Sequence, residues 1–192
     1  MRMKSHTRIA AFDDGNFEFR QGTVPLVGIV ARLPSYVECA IVTKCTVDGR
    51  DASASVCDAV NGSRLKEQIK AILLDGIACG GFNVYDLDYI HDMTGLPVLT
   101  VTRKAPDIDS MERALRKHFA DWNERCRLVR AHETIMVQTG RWKLHVSCAG
   151  VGIEEAQSLL DASIVRGNYP EPLRLAHIFA GAITMGESVG KP

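Results

Sequence analysis

Aspartates stand where apolar segments end. Asp13 and Asp14 follow the run 7–12 (TRIAAF), Asp48 and Asp51 follow the alternating segment 36–47, and Asp75 follows 69–74 (IKAILL). A β-strand delivers its terminal side chain to one edge of a sheet. If these strands are neighbours, carboxylates from distant parts of the chain meet there. Hard divalent cations such as Mg²⁺ or Mn²⁺ take oxygen ligands, and in such a cluster they can activate water and offset charge on a phosphodiester. Crowded carboxylates also repel, so they need a cation or a proton to persist at neutral pH. This reading makes Asp13 and Asp75 primary metal ligands, Asp48 or Asp51 the third, and Asp14 or Asp86 supporting groups. Turn chemistry competes with it, because Asp suits turns and helix N-caps, and Asp13-Asp14-Gly15 and Asp48-Gly49 are ordinary turn sequences.

A second signal follows Asp75. Residues 75–83 (DGIACGGFN) place Gly76, Gly80 and Gly81 between a strand and a helix. Backbone there can approach a ligand closely, and a helix N-terminus favours an anion. Gly80, Gly81 and Asn83 are therefore candidates for contact with nucleic acid, against a tight structural turn as the alternative. The stretch is neither a Walker motif nor GxGxxG. Arg103-Lys104 and the group Arg113, Arg116 and Lys117 form basic clusters that suit phosphate contact, or simply a solvated helix face. His145 and His177 read as structural. The six cysteines contain no CxxC pair and lie in apolar company, which predicts buried, reduced thiols in a cytoplasmic protein rather than a zinc site.

The elements that must position these groups can be read from periodicity. Segments 7–12, 24–32 and 36–47 read as three strands. The third alternates, with Val37, Cys39, Ile41, Cys45 and Val47 on one face, and the short spacing predicts an antiparallel meander. A short helix over 52–60 with Asp51 as its N-cap, a buried strand at 69–74, a helix over 82–93 and a strand at 97–102 follow. A long helix is expected over 107–123, then strands at 134–138 and 142–148 and helices near 153–165 and 172–183. Three antiparallel strands continuing into parallel ones, with helices on both faces, make a mixed α/β sheet with ribonuclease H-like strand order. The length suits one domain across residues 1–192. Lys and Arg number 23 and Asp and Glu number 23, so zero net charge excludes retention on nucleic acid by bulk charge and leaves only a local patch. No apolar run reaches the roughly 20 residues of a membrane span, so no membrane partner is expected. The first residues do not read as a secretory signal.

Several segments together resemble a known family. IAAFDDGNF (9–17), VDGRDASAS (47–55), ILLDGIACGGFNVYDL (72–87), TGLPVLTVTRKAPD (94–107) and YPEPLRLAHIFAGAITMGESVGKP (169–192) are similar, in order, to the mainly archaeal domain-of-unknown-function family 99, which is endonuclease V-like. Endonuclease V itself carries an Asp on its first strand, matched by Asp13. It also carries an Asp-Gly after a central apolar strand, matched by Asp75-Gly76, and a helix ending in Leu-Pro, matched by Leu96-Pro97. Its C-terminal Leu-Pro-Glu-Pro-x-Arg is echoed by residues 169–174 (YPEPLR). The family's metal-binding Glu within Phe-Arg-Glu-Gly-Pro has no counterpart of that form. Its His-Pro-Arg is replaced by Gly81-Phe82-Asn83, and its late Ser-x-Gly-His by Cys148-Ala149-Gly150-Val151. The resemblance implies an endonuclease V type of fold and a Mg²⁺- or Mn²⁺-dependent phosphodiesterase acting on DNA or RNA. The alternatives are a catalytically inactive module of the same fold that binds nucleic acid or protein, and a nucleotide-binding phosphohydrolase using Gly80-Gly81.

Overall fold

The computed structural model describes residues 7–17 and 22–188. The ends of the matching segments at 189–192, and the leading residues 1–6, lie outside the described residues. The chain opens with β1 (Arg8–Asp14), β2 (Thr23–Arg32) and β3 (Tyr36–Thr46), then α1 (Ala52–Asn61), β4 (Ile69–Asp75), β5 (Ala78–Cys79) and β6 (Asn83–Val84). It continues with α2 (Leu87–Thr94), β7 (Val98–Thr102), α3 (Ile108–His118), α4 (Trp122–Arg130), β8 (Ile135–Thr139), β9 (Trp142–Ala149), α5 (Ile153–Ser163) and α6 (Glu171–Met185). Seven strands form one mixed sheet in the order β3-β2-β1-β4-β7-β9-β8, and β5 and β6 pair separately as a small hairpin. The first three strands are antiparallel, β1, β4 and β7 run parallel, and β9 and β8 turn antiparallel again.

Sequence pattern and position agree. β1 and β4 are almost continuously apolar because both of their faces are covered. On one face Phe12, Val30, Ile72, Leu74 and Val98 pack under α1 and α2 through Val56, Val60 and Ile90. On the other, Ile9, Ala11, Leu73, Leu99 and Val146 pack under α5 and α6 through Leu159, Leu160 and Leu173. β3 is an edge strand that alternates from Ala40 to Thr46, while at its start Tyr36 and Val37 are both exposed, so Val37 leaves the face expected for it. Glu38 on this strand pairs with Arg8 and Arg32, which places charge on the outer strand and discourages edge-to-edge association.

Gly28 sits opposite Phe12 in the β1–β2 register. A Cβ on Gly28 would lie 2.4 Å from the Phe12 ring. The ring is fully buried and cannot swing out, so Gly28→Ala is expected to cost about 2 kcal/mol through overpacking, seen as a lower urea midpoint at unchanged slope.

Two helix expectations are corrected. The helix expected over 82–93 begins only at Leu87. Residues 83–84 form β6 instead, and the Asp86 carboxylate caps the helix by accepting from the Tyr89 amide at 3.0 Å. Gly95 closes that helix in the left-handed conformation. The long helix over 107–123 breaks after His118, where Phe119 is extended. Its ring packs edge-on against Phe82 and under the Arg125 guanidinium. The missed helix α4 follows; it is rich in Arg and buries only Arg125, Cys126 and Val129. Together α3 and α4 cover the turn beyond the end of β4 through Leu115, Cys126, Val129, Ile77 and Phe82.

Candidate functional site

The parallel strands β1 and β4 end side by side. Phe12 registers with Leu74, so Asp13 and Asp75 stand one residue further on at the same rim. Helix α6 crosses this rim and brings His177, whose Nδ1 lies 2.8 Å from Asp13 Oδ2. Asp13, Asp75 and His177 each place one ligand atom within 4.8 Å of the others, the one such group of His, Cys, Asp and Glu among the described residues. The sequence reading took His177 as structural. The only signal that could have found it was its place in the YPEPLRLAH segment, because 164 residues separate it from Asp13 along the chain.

The site is electrostatically unfavourable as it stands. Asp13 is 7% exposed. Burial, the Asp75 charge and the Asp14 charge push its carboxyl up to about 8, although the Asp14 amide donates to it at 2.8 Å. Burial also raises Asp75, opposed by a hydrogen bond from Tyr169 and by the charges of His177 and Arg103. Asp14 is raised by burial, against a 2.8 Å hydrogen bond from the Gly80 amide. A crowded, buried carboxylate pair beside an imidazole is stabilised by a bound cation. The oxygen ligands suit Mg²⁺ or Mn²⁺, and the nitrogen favours Mn²⁺ of the two.

Two partners shape Asp75 from the next strand and the last loop. The Tyr169 hydroxyl lies 3.1 Å from the Val101 carbonyl as well as facing Asp75. Arg103 stacks 4.2 Å over the Tyr169 ring, so its guanidinium is held at the rim beside the carboxylates. Arg103 and Lys104 are exposed there.

Asp48 and Asp51 do not join the cluster. Asp48 adopts φ 55°, its carboxylate accepts from the Phe82 amide at 2.9 Å, and its amide donates to the Gly80 carbonyl at 2.7 Å. Asp51 accepts from the Thr46 amide and hydroxyl and from Asn83 Nδ2. It stands at the α1 N-cap position without capping; Asn83 Oδ1 does so instead, accepting from the Ala52 amide at 3.0 Å. Turn chemistry therefore accounts for both aspartates. Asn83 is fully buried in this network, so its amide faces the interior rather than a nucleic acid.

Gly80 and Gly81 both take positive φ. A Cβ on Gly81 would meet Asp48 Oδ1 at 2.3 Å, so the turn packs onto the end of β3, and the Gly80 amide is spent on Asp14. Asp86 caps α2, away from the cluster. On α3, Arg113, Arg116 and Lys117 are exposed, with Arg113 on the Ser110 hydroxyl and Arg116 stacked 4.4 Å from the Trp122 ring. His145 is half-buried on β9. All six cysteines are free, four of them buried. No helix among the described residues is long and apolar enough to cross a membrane.

Comparison with known proteins agrees with this architecture. A UPF0215 protein of Methanothermobacter thermautotrophicus is 40% identical over 190 residues, covering 98% of this chain and 93% of that protein. The crystal structure of a protein of unknown function from Archaeoglobus fulgidus superposes with a TM-score of 0.83 at 34% identity, covering 92% of this chain and 97% of that one. Ciona intestinalis endonuclease V, in complex with a 24mer DNA containing an inosine followed by a ribo-adenosine, gives a TM-score of 0.56 at 12% identity, with 91% and 84% coverage. That likeness shows a shared endonuclease V-like mixed α/β fold. The sequence profile of the endonuclease dU family matches residues 5–184, and the chain belongs to that family.

Proposed function

We infer that the chain is a divalent-metal-dependent endonuclease that hydrolyses a phosphodiester bond in nucleic acid, with Asp13, Asp75 and His177 holding Mn²⁺ or Mg²⁺. The observation that carries this is the convergence of three ligand atoms within 4.8 Å at the rim where two parallel strands end. Family membership and the DNA-bound fold relative support the same reading. When bound, the cation would supply positive charge to the reacting phosphate and make water a stronger acid.

The chain's own groups have separable tasks. His177 positions the Asp13 carboxylate, its Nδ1 lying 2.8 Å from Asp13 Oδ2. Tyr169 favours the ionised form of Asp75, against the burial that raises its carboxyl. Arg103, braced on the Tyr169 ring, offers its guanidinium to a phosphate at the same rim. Arg113, Arg116 and Lys117 extend positive charge along α3 for more distant phosphates.

The family's name makes a deoxyuridine-bearing strand the first substrate to test. An end-labelled oligonucleotide with one deoxyuridine, incubated with millimolar Mn²⁺, is expected to be cut, and Asp75→Asn is expected to abolish the product. No product with any deaminated-base, DNA or RNA substrate in Mn²⁺ or Mg²⁺ would sink the proposal. His177→Ala is expected to weaken Mn²⁺ by about 10–100-fold. The half-buried side chain makes that change tolerable to the fold, so an unchanged melting temperature alongside the weaker binding would separate ligation from packing.

A further inference from the structure

The geometry points to a nucleobase pocket at the tip of the β8–β9 hairpin, holding a base of the same strand a few nucleotides from the cleaved bond. It rests on the nuclease reading only for the identity of that strand. The hairpin tip lies at the metal-site rim. β9 is antiparallel to β7 and Thr102 registers with His145, so Trp142 reaches three residues, or about 10 Å, beyond the end of β7. β4, β7 and β9 are consecutive in the sheet, which sets the tip about 10 Å sideways from Asp75.

A cavity of about 280 Å³ opens there, lined by Thr139, Gly140, Arg141, Trp142, Asp161, Ile164 and Gly167. That is near the lower end of ligand-pocket sizes and suits one planar ring system. Thr139 lines the cavity and is 3% exposed, and its hydroxyl is buried without a hydrogen-bond partner among the described residues. Such a group is costly to bury unless something satisfies it. The Asp161 carboxylate, which accepts from Gln157 at 3.2 Å, offers acceptor capacity to the N–H groups of a base edge. Trp142 is 41% exposed and presents a stacking face, with the Arg141 guanidinium 5.2 Å from its centroid. Arg141, Lys143 and Arg166 are exposed around it, where phosphates of a bound strand would run.

The pocket is joined to the metal site along the chain. Gly167 forms its wall, and two residues later Tyr169 meets Asp75 and the Val101 carbonyl.

The test is anisotropy of a labelled short single-stranded oligonucleotide in EDTA, so that binding is read without cleavage. Trp142→Ala is expected to weaken binding about tenfold. Thr139→Val keeps the side-chain shape while removing the hydroxyl, and a several-fold loss is expected. Binding that depends on Trp142 and Thr139 supports the pocket even if no substrate is cut, in which case the nuclease reading alone fails. Cleavage by the parent protein, with Trp142→Ala and Thr139→Val both folded and unchanged in affinity and KM, overturns the pocket and leaves the nuclease reading standing.

Discussion

Asp13→Asn is expected to reduce Mn²⁺-dependent cleavage by about 10³-fold, since several kcal/mol of transition-state stabilisation leave with the metal. The same change is expected to stabilise the metal-free fold at pH 8. In the folded chain the Asp13 carboxyl is raised to about 8, from an unfolded value near 3.8. Between those values the folded state holds a proton that the unfolded state has released. Stability from this group is therefore present below pH 3.8 and is lost as pH rises toward 8. An asparagine carries no such penalty, and the gain at pH 8 is on the order of 2–5 kcal/mol, or roughly 5 °C or more in melting temperature. Melting curves of both proteins at about pH 5 and pH 8 check it: the parent should lose more ground with rising pH than the variant, which keeps the buried, raised carboxyls of Asp14 and Asp75. Mn²⁺ should restore the parent at pH 8, because bound cation keeps the carboxylate ionised. A parent protein that grows more stable over that range, through this residue, would contradict the electrostatic description of the site.

The second large effect concerns Arg125, which is buried at 6% exposure. Its guanidinium donates to the Gly49 carbonyl at 2.9 Å and the Phe82 carbonyl at 2.6 Å, pairs with Asp121 at 3.0 Å, and stacks 4.3 Å from the Phe119 ring. One side chain thus ties α4 to the loop after β3 and to the turn beyond β4. Arg125→Met keeps much of the volume but strands two buried carbonyls and a carboxylate. A loss of about 3–5 kcal/mol is expected, lowering the melting temperature by roughly 10 °C. Gly80 and Gly81 belong to that turn, so the Asp14 contact should loosen as well, and thermal melting with hydrogen exchange at the Gly80 amide checks both.

The convergence of Asp13 and Asp75 was legible because hydrophobic strands announce where their last side chain goes, and strand order then makes neighbours of two such ends. The antiparallel start of the sheet was legible from the alternation of β3 and the short connections. His177 was not, since nothing local distinguishes a histidine on an apolar helix face from one that crosses the chain to a carboxylate. Asp48 and Asp51 looked like Asp75 in sequence but differ in what surrounds them. Asp51 is taken up by Thr46 and Asn83 and Asp48 by the Phe82 amide, whereas Asp75 faces Tyr169, His177 and Arg103 at the rim. Asn83 resembled a ligand-facing residue of a glycine-rich turn, yet its task is to cap α1 from 31 residues away. Helix α4 escaped notice because its buried face contains an arginine, which apolar periodicity does not count.

The most direct measurement is isothermal titration of Mn²⁺ into the metal-free protein and its Asp13→Asn variant at pH 8. Saturable binding in the parent that disappears in the folded variant is the predicted result. Equal heats in the two proteins, or no binding by the parent at millimolar Mn²⁺, would contradict a cation held between β1, β4 and α6.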